Sequence, residues 1–291
     1  MDDPEIISVH SSYVLDLIFT PDNQTLISSG MDNIINLWDV PDWKLKGRIT
    51  GHTQSVNTIA LSPDTKTLIS GSSDSTVKLW SFPDGRVKMT LKGHKKTVTC
   101  VNISSNGRIL VSGSYDGYVR LWDSKTGESI GTINALKRNV SSNVFLPDNR
   151  TLLVSGLAED IMIYEVPSCD LVKSLQGHRT AVTALTISSD GKYLASSGYD
   201  GTVKLWDISS WEILQEIKLK SLGFSHSAFP PDNKTLVIIA AYQIMLWSIE
   251  NGKIITQQAL KPKGVTSVTF SPNGKWLAVG AADKKIRIWK M

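Results

Sequence analysis

An aromatic residue closes a short apolar run at an almost fixed interval along this chain. Trp38, Trp80, Trp122, Tyr164 and Trp206 follow at steps of 42, and then Trp247 at 41 and Trp289 at 42. A histidine stands 28 residues ahead of four of these aromatics, at His10, His52, His94 and His178, and Gly precedes the last three. A period in this range means one supersecondary unit, repeated, whose faces cannot be buried unless the copies stack on one another.

The best-formed copy spans residues 177–207. Three β-type runs, 181–187, 193–197 and 202–206, are separated by Ser189-Asp190-Gly191 and Tyr199-Asp200-Gly201. Gly and Asp tolerate the backbone angles that tight turns require. A fourth run, 213–219, is more polar on one face. The unit is therefore a four-stranded antiparallel sheet. No helical periodicity occurs outside the turns.

With their spacing, the Gly-His and Trp-Asp marks resemble those of the WD40-repeat family, and the resemblance covers the whole chain. It implies an all-β fold, a seven-bladed β-propeller, with residues 1–291 forming a single domain. Residues 5–8 stand where an outermost strand would stand, yet no strands of their own blade precede them. The chain also ends directly after a third strand at Trp289-Lys290-Met291. The N-terminal strand is thus expected to complete the last blade and close the ring, because an open array would leave unpaired edges.

Composition excludes several other classes. Hydrophobic residues make up 41% of the chain, and the longest apolar run, 236–242, is far short of a membrane span. The start, MDDPE, has no secretory core, so an intracellular, cytoplasmic location is expected. The two cysteines, Cys100 and Cys169, lie in different repeats and suggest no disulfide. A net charge of +4 is too mild by itself to argue for nucleic acid.

Four repeats each bring together a histidine, a serine, an aspartate and a tryptophan. These are His10, Ser28, Asp32 and Trp38; His52, Ser70, Asp74 and Trp80; His94, Ser112, Asp116 and Trp122; and His178, Ser196, Asp200 and Trp206. Ser, His and Asp are the components of a nucleophilic triad. The same spacing recurring four times argues instead for a structural network, and no Gly-x-Ser-x-Gly elbow exposes a serine. In the family resembled, these residues form a hydrogen-bonded tetrad. Where the histidine is missing, at Leu136, Lys220 and Lys261, the serine is missing too, as Val154, Val237 and Val279. The paired loss should leave fewer orphaned polar groups. His226 has no Cys or His partner nearby, so neither a metal nor any other cofactor is expected.

The resemblance implies a non-catalytic scaffold that binds a protein or peptide on the narrow face of the ring. The family's Phe-Arg-Arg-Gly lipid motif is absent, and Trp122-Asp123-Ser124-Lys125 departs from its Trp-Asp-x-Arg adaptor motif. Carried over position by position, the contact set includes Tyr13, Leu15, Met31, Tyr115, Leu157 and Tyr199, all expected to be exposed. Lys95, Lys96, Lys137, Arg138, Arg179, Lys220, Lys261 and Lys263 surround them with few matching acids. A basic rim around an apolar centre suits a partner of acidic character, met by a chain that is monomeric by itself. The alternative is a nucleic-acid- or phosphate-binding module using the same rim.

Overall fold

The computed structural model describes residues 3–8, 10–136, 138–219, 226–240, 243–259 and 264–291. Lys137, Lys220, Lys261 and Lys263 lie outside these, as do Gly223 and Ser225, the positions of blade six that match Tyr13 and Leu15. The described residues form seven four-stranded antiparallel sheets and no helix. Blade one consists of Val14–Phe19, Thr25–Gly30, Ile35–Asp39 and Leu45–Ile49, counted outward from the centre. The first strands of consecutive blades touch one another all round the ring, and blade seven meets blade one. The fold is a seven-bladed β-propeller, all-β.

Closure follows the strand arithmetic of the sequence. Glu5–Ser8 pairs antiparallel with the third strand of blade seven, Glu5 opposite Ile288 and Ser8 opposite Lys285. The inner edge of that sheet is Val265–Phe270, so the outermost strand comes from the other end of the chain.

Burial falls from the centre outward for a simple reason. The second strand of blade one is buried at all six positions, because neighbouring blades cover both its faces. The fourth strands face water, and those of blades four and five are exposed at most positions. The apolar clusters lie between blades rather than within them. One joins Ile27, Ile35, Leu37 and Ile49 of blade one to Val56, Ile59, Leu68 and Trp80 of blade two. The closing seam joins Ala278, Ile286 and Ile288 of blade seven to Val14, Leu17 and Trp38 of blade one, with Ile7 packed against it. Each fully buried Leu or Ile in such a seam contributes about 1.5–3 kcal/mol. Each blade therefore depends on its neighbours, as the period required.

Candidate functional site

Four blades carry the same polar chain. In blade two, His52 Nδ1 donates to Asp74 Oδ2 over 2.7 Å, and Trp80 Nε1 donates to Ser70 Oγ over 2.8 Å. Ser70 Oγ lies 2.7 Å from His52 Nε2. An indole N–H can only donate, so the serine accepts from Trp and gives its own proton to Nε2. That leaves the imidazole proton on Nδ1, facing the carboxylate. In blade one the His10–Asp32, His10–Ser28 and Trp38–Ser28 distances are 2.8, 3.0 and 2.9 Å. In blade three, His94–Asp116, His94–Ser112 and Trp122–Ser112 are 3.0, 2.8 and 2.9 Å. In blade five, His178–Asp200, His178–Ser196 and Trp206–Ser196 are 3.2, 2.7 and 2.8 Å.

The aspartate has a second task. It accepts the backbone N–H just after each histidine, at Ser11, Thr53, Lys95 and Arg179. The loop leading into each blade is thereby pinned to the turn between strands two and three. Gly177 makes room for this loop, since a Cβ there would lie 2.7 Å from Trp206. Burial holds His10, His94 and His178 below the ordinary histidine pKa, against the pull of their aspartates. Burial by itself would raise Asp200. Hydrogen bonds from the Thr202 hydroxyl and from the Arg179 and Thr202 N–H groups outweigh it and hold the carboxyl at about 2. The four serines are fully buried, each held between an indole N–H and an imidazole.

The pinned loops open on one face of the ring. Met31 N–H donates to Tyr13 C=O, Tyr115 to Thr97, Leu157 to Asn139 and Tyr199 to Ala181. The residue before each turn thus sits beside the third residue after the histidine position, including in blade four, where the histidine is Leu136. Tyr13, Met31, Tyr115 and Leu157 are 44, 45, 49 and 53% exposed. Leu15 and Tyr199, expected to be exposed, are only half-exposed. Leu15 occupies the position where Asn57 and Thr99 reach to the backbone of the next blade. Burial and then the nearby Tyr115 phenol push the Tyr199 pKa up. Lys95, Lys96, Arg138 and Arg179 are exposed around this centre. The rim is less uniformly basic than the sequence suggested, because Glu159 and Asp160 follow Leu157 in the same turn of blade four.

The WD domain, G-beta repeat family model matches residues 4–39, 43–81, 85–123, 169–207 and 255–290, well over half of the chain. The chain belongs to the WD40-repeat family. Among curated proteins no match is found. WD40 propellers are in general protein-interaction scaffolds without chemistry of their own. The matched stretches include every WD40 repeat with a complete tetrad, and blades four and six fall largely between them.

The incomplete WD40 repeats show what the paired loss of histidine and serine leaves behind. Replacing the serine with Val237 or Val279 does not remove every orphan, because Trp247 Nε1 and Trp289 Nε1 are buried without a hydrogen-bond partner. Blade seven has a substitute that sequence reading missed. Arg287 donates to both oxygens of Asp283, over 3.2 and 2.6 Å, where a tetrad aspartate would meet its histidine. No distinguishing signal lay in the sequence, because Arg120 likewise stands four residues after Asp116 in blade three, where the tetrad is complete. His226 lies on the inner strand of blade six, where burial outweighs a hydrogen bond to the Val265 backbone and lowers its pKa to about 4. Among the described residues no cluster of His, Cys, Asp or Glu could hold a metal ion, and no helix is long and apolar enough to cross a membrane.

Proposed function

We propose that this WD40 propeller is a non-catalytic platform that binds a protein or peptide on the face where the tetrad-pinned loops open. The observation that carries it is the exposure of Tyr13, Met31, Tyr115 and Leu157 together on that face. Large apolar groups held at such exposure mark interaction surfaces, and tyrosine is enriched among interface hot spots. The tetrads of blades one and three fix the loops that present Tyr13, Met31 and Tyr115, so that part of the surface is held before a partner arrives. Lys95, Lys96, Arg138 and Arg179 at the edge favour a partner segment that is acidic at its ends and carries an apolar or aromatic anchor. We place the chain in the cytoplasm as a monomer, in keeping with the free Cys100 and Cys169.

The test starts from a partner captured with the intact protein and measured with the purified pair. Tyr115→Ala or Tyr199→Ala is expected to weaken binding by about 2 kcal/mol if either is a hot spot. Lys95→Glu with Lys96→Glu is expected mainly to slow association, by a factor that shrinks as salt rises. Asp42→Lys with Glu128→Lys, at exposed positions on the opposite face, is expected to change neither. Disruption by that last pair alone would mean that the wrong face has been chosen. A captured RNA or DNA whose affinity falls steeply with salt would favour the nucleic-acid reading instead.

A further inference from the structure

Five other seams of the ring show how the seam between blades two and three comes to be open. Just beyond the third strand of these blades, one side chain closes the outer part of the cleft against the preceding blade. That position holds Val40, Phe82, Val166, Ile208 and Ile249. In blade seven it holds Met291, which is 44% exposed and lines a second cleft, of about 570 Å³, between blades six and seven; its lining groups include Asp232 and no lysine. Val40, Val166 and Ile249 are buried in their seam clusters, and Phe82 and Ile208 pack against theirs. Trp43 and Trp211, three residues further on, add to the plug in blades one and five. Blade three has Ser124 at the first position and Gly127 at the second. Ser124 lines the cleft without filling it, its hydroxyl donating to Gly107 C=O at 2.5 Å.

The result is a cleft of about 430 Å³ between blades two and three. Its walls include Ile69, Leu79, Met89 and Ile103, while Lys88, Lys125 and Asp64 stand among its lining groups. Ile69 and Leu79 are fully buried behind the cleft, and the apolar groups that its surface exposes are the partly buried Met89 and Ile103. Lys88 is held in place, its Nζ donating to Lys66 C=O at 3.1 Å and to Thr67 Oγ1 at 2.8 Å. It forms no ion pair within 4 Å among the described residues. The corresponding lysine of blade one, Lys46, is paired with Asp39. Asp64 is already engaged by Ser62 and by the Lys66 N–H. Two lysines against one engaged carboxylate leave the mouth positive.

We propose that this cleft binds a small amphiphilic carboxylic acid. The apolar body lies against Met89 and Ile103, in front of the buried Ile69 and Leu79, and the carboxylate meets Lys88 and Lys125. The volume falls within the range of small-ligand pockets, and an apolar wall with a few placed polar groups is their usual make-up. The preference for an acid comes from the charge at the mouth. The site is independent of the platform face, so either reading can fail without the other.

Octanoate and octylamine, which share one chain and differ in the charge of the head, are the probes. Titration calorimetry with the intact protein is expected to show one octanoate site per chain and at least tenfold weaker binding of octylamine. Ser124→Val, which copies the side chain at positions 40 and 166, is expected to weaken octanoate at least tenfold with no fall in Tm. Lys88→Met keeps the apolar stem and is expected to weaken octanoate about fivefold while leaving octylamine unchanged. Methyl NMR on the unmutated protein gives a readout that does not depend on how a variant folds. Octanoate is expected to shift Met89 and Ile103 and to leave Leu214 and Ile255 on the outer wall unmoved. No octanoate binding at millimolar concentration, equal affinity for octylamine, unaltered binding by folded Ser124→Val, or shifts confined to the outer wall would each overturn the proposal.

Discussion

Blades one, two, three and five tie their loops with four polar side chains, whereas blades four, six and seven stand in the same ring without that network. The incomplete blades still bury their closing aromatics, with Tyr164 at 5%, Trp247 at 0% and Trp289 at 4% exposure. Their second strands are as deeply buried as those of the complete blades. The apolar seams are therefore sufficient to form a blade. The tetrad does something narrower, which is to fix the loop that enters the blade and the turn beside it. Incomplete blades keep the architecture and lose part of the fastening, and in blades six and seven they retain a buried indole N–H with no partner.

If seams hold the ring and tetrads hold the loops, the largest effect must come from breaking a seam. Deleting residues 1–8 removes the fourth strand of blade seven and strips Ile7 from the closing cluster. The bared edge of Lys285–Lys290 would then be free to pair with other chains. Light scattering is expected to show oligomers, and the melting transition to broaden or fall. A monomer with an unchanged Tm would refute closure by this strand.

Acid sharpens the comparison next, because it acts on the polar network and spares the seams. Burial holds His10, His94 and His178 below 6.5 in the folded chain, so the unfolded chain takes up the proton first. Stability is expected to fall as pH drops below 6.5, by about 1.4 kcal/mol per pH unit for each such histidine while it stays neutral in the fold. His226, with its pKa lowered to about 4, adds to the same slope. Asp16 opposes it. Burial in the ring raises its pKa to about 6, so the folded chain binds that proton more readily and stability is gained between pH 6 and 3.8. Below 3.8 the depressed Asp200 is protonated first in the unfolded chain, and its contribution is lost as pH falls towards 2. Denaturant melts at a series of pH values check this, and Asp16→Asn should make the loss between pH 6 and 4 steeper.

Single tetrad changes come third. Ser70→Ala strands both the Trp80 indole N–H and His52 Nε2, as two orphans remain in place of one satisfied hydroxyl. The expected cost is about 1–3 kcal/mol by urea melts. Val237→Ala in blade six has no polar partner to strand, so its cost should reflect the lost methyl groups alone. A Ser70→Ala protein as stable as the unmutated chain would show that these bonds are idle.

The period, the strand count and the closure were legible because each depends on local pattern. Trp289 ends the chain one strand short, and residues 5–8 supply that strand. The tetrads were legible because identical residues recur at identical spacing. What the sequence concealed were relations between blades. Arg287 reads as an ordinary exposed strand residue until its guanidinium is placed over Asp283. Leu15 belongs to a face by its position, but it is only half-exposed there. The open cleft at Ser124 became visible only when the plugs of five other seams were seen in place, since a serine after a strand is unremarkable by itself.

The smallest expected effect tests whether the Arg287–Asp283 pair is equivalent to a tetrad. The two partners are not equally buried: the Arg287 side chain is 8% exposed and that of Asp283 is 31%. Losing one partner of an ion pair costs most when the group left behind is buried and uncompensated. Arg287→Met leaves a carboxylate that water can still reach, and it fills the site with an apolar chain, as Met162 and Met245 do at the same position in blades four and six. Its cost should be about 1 kcal/mol or less, in the range of exposed pairs. Asp283→Ala leaves a buried guanidinium without its acceptor and should cost more than Arg287→Met. Urea melts of the two variants check the order. Equal losses would mean that the pair behaves as a surface contact, and a larger loss for Arg287→Met would mean that the aspartate depends on it as a tetrad aspartate depends on its histidine.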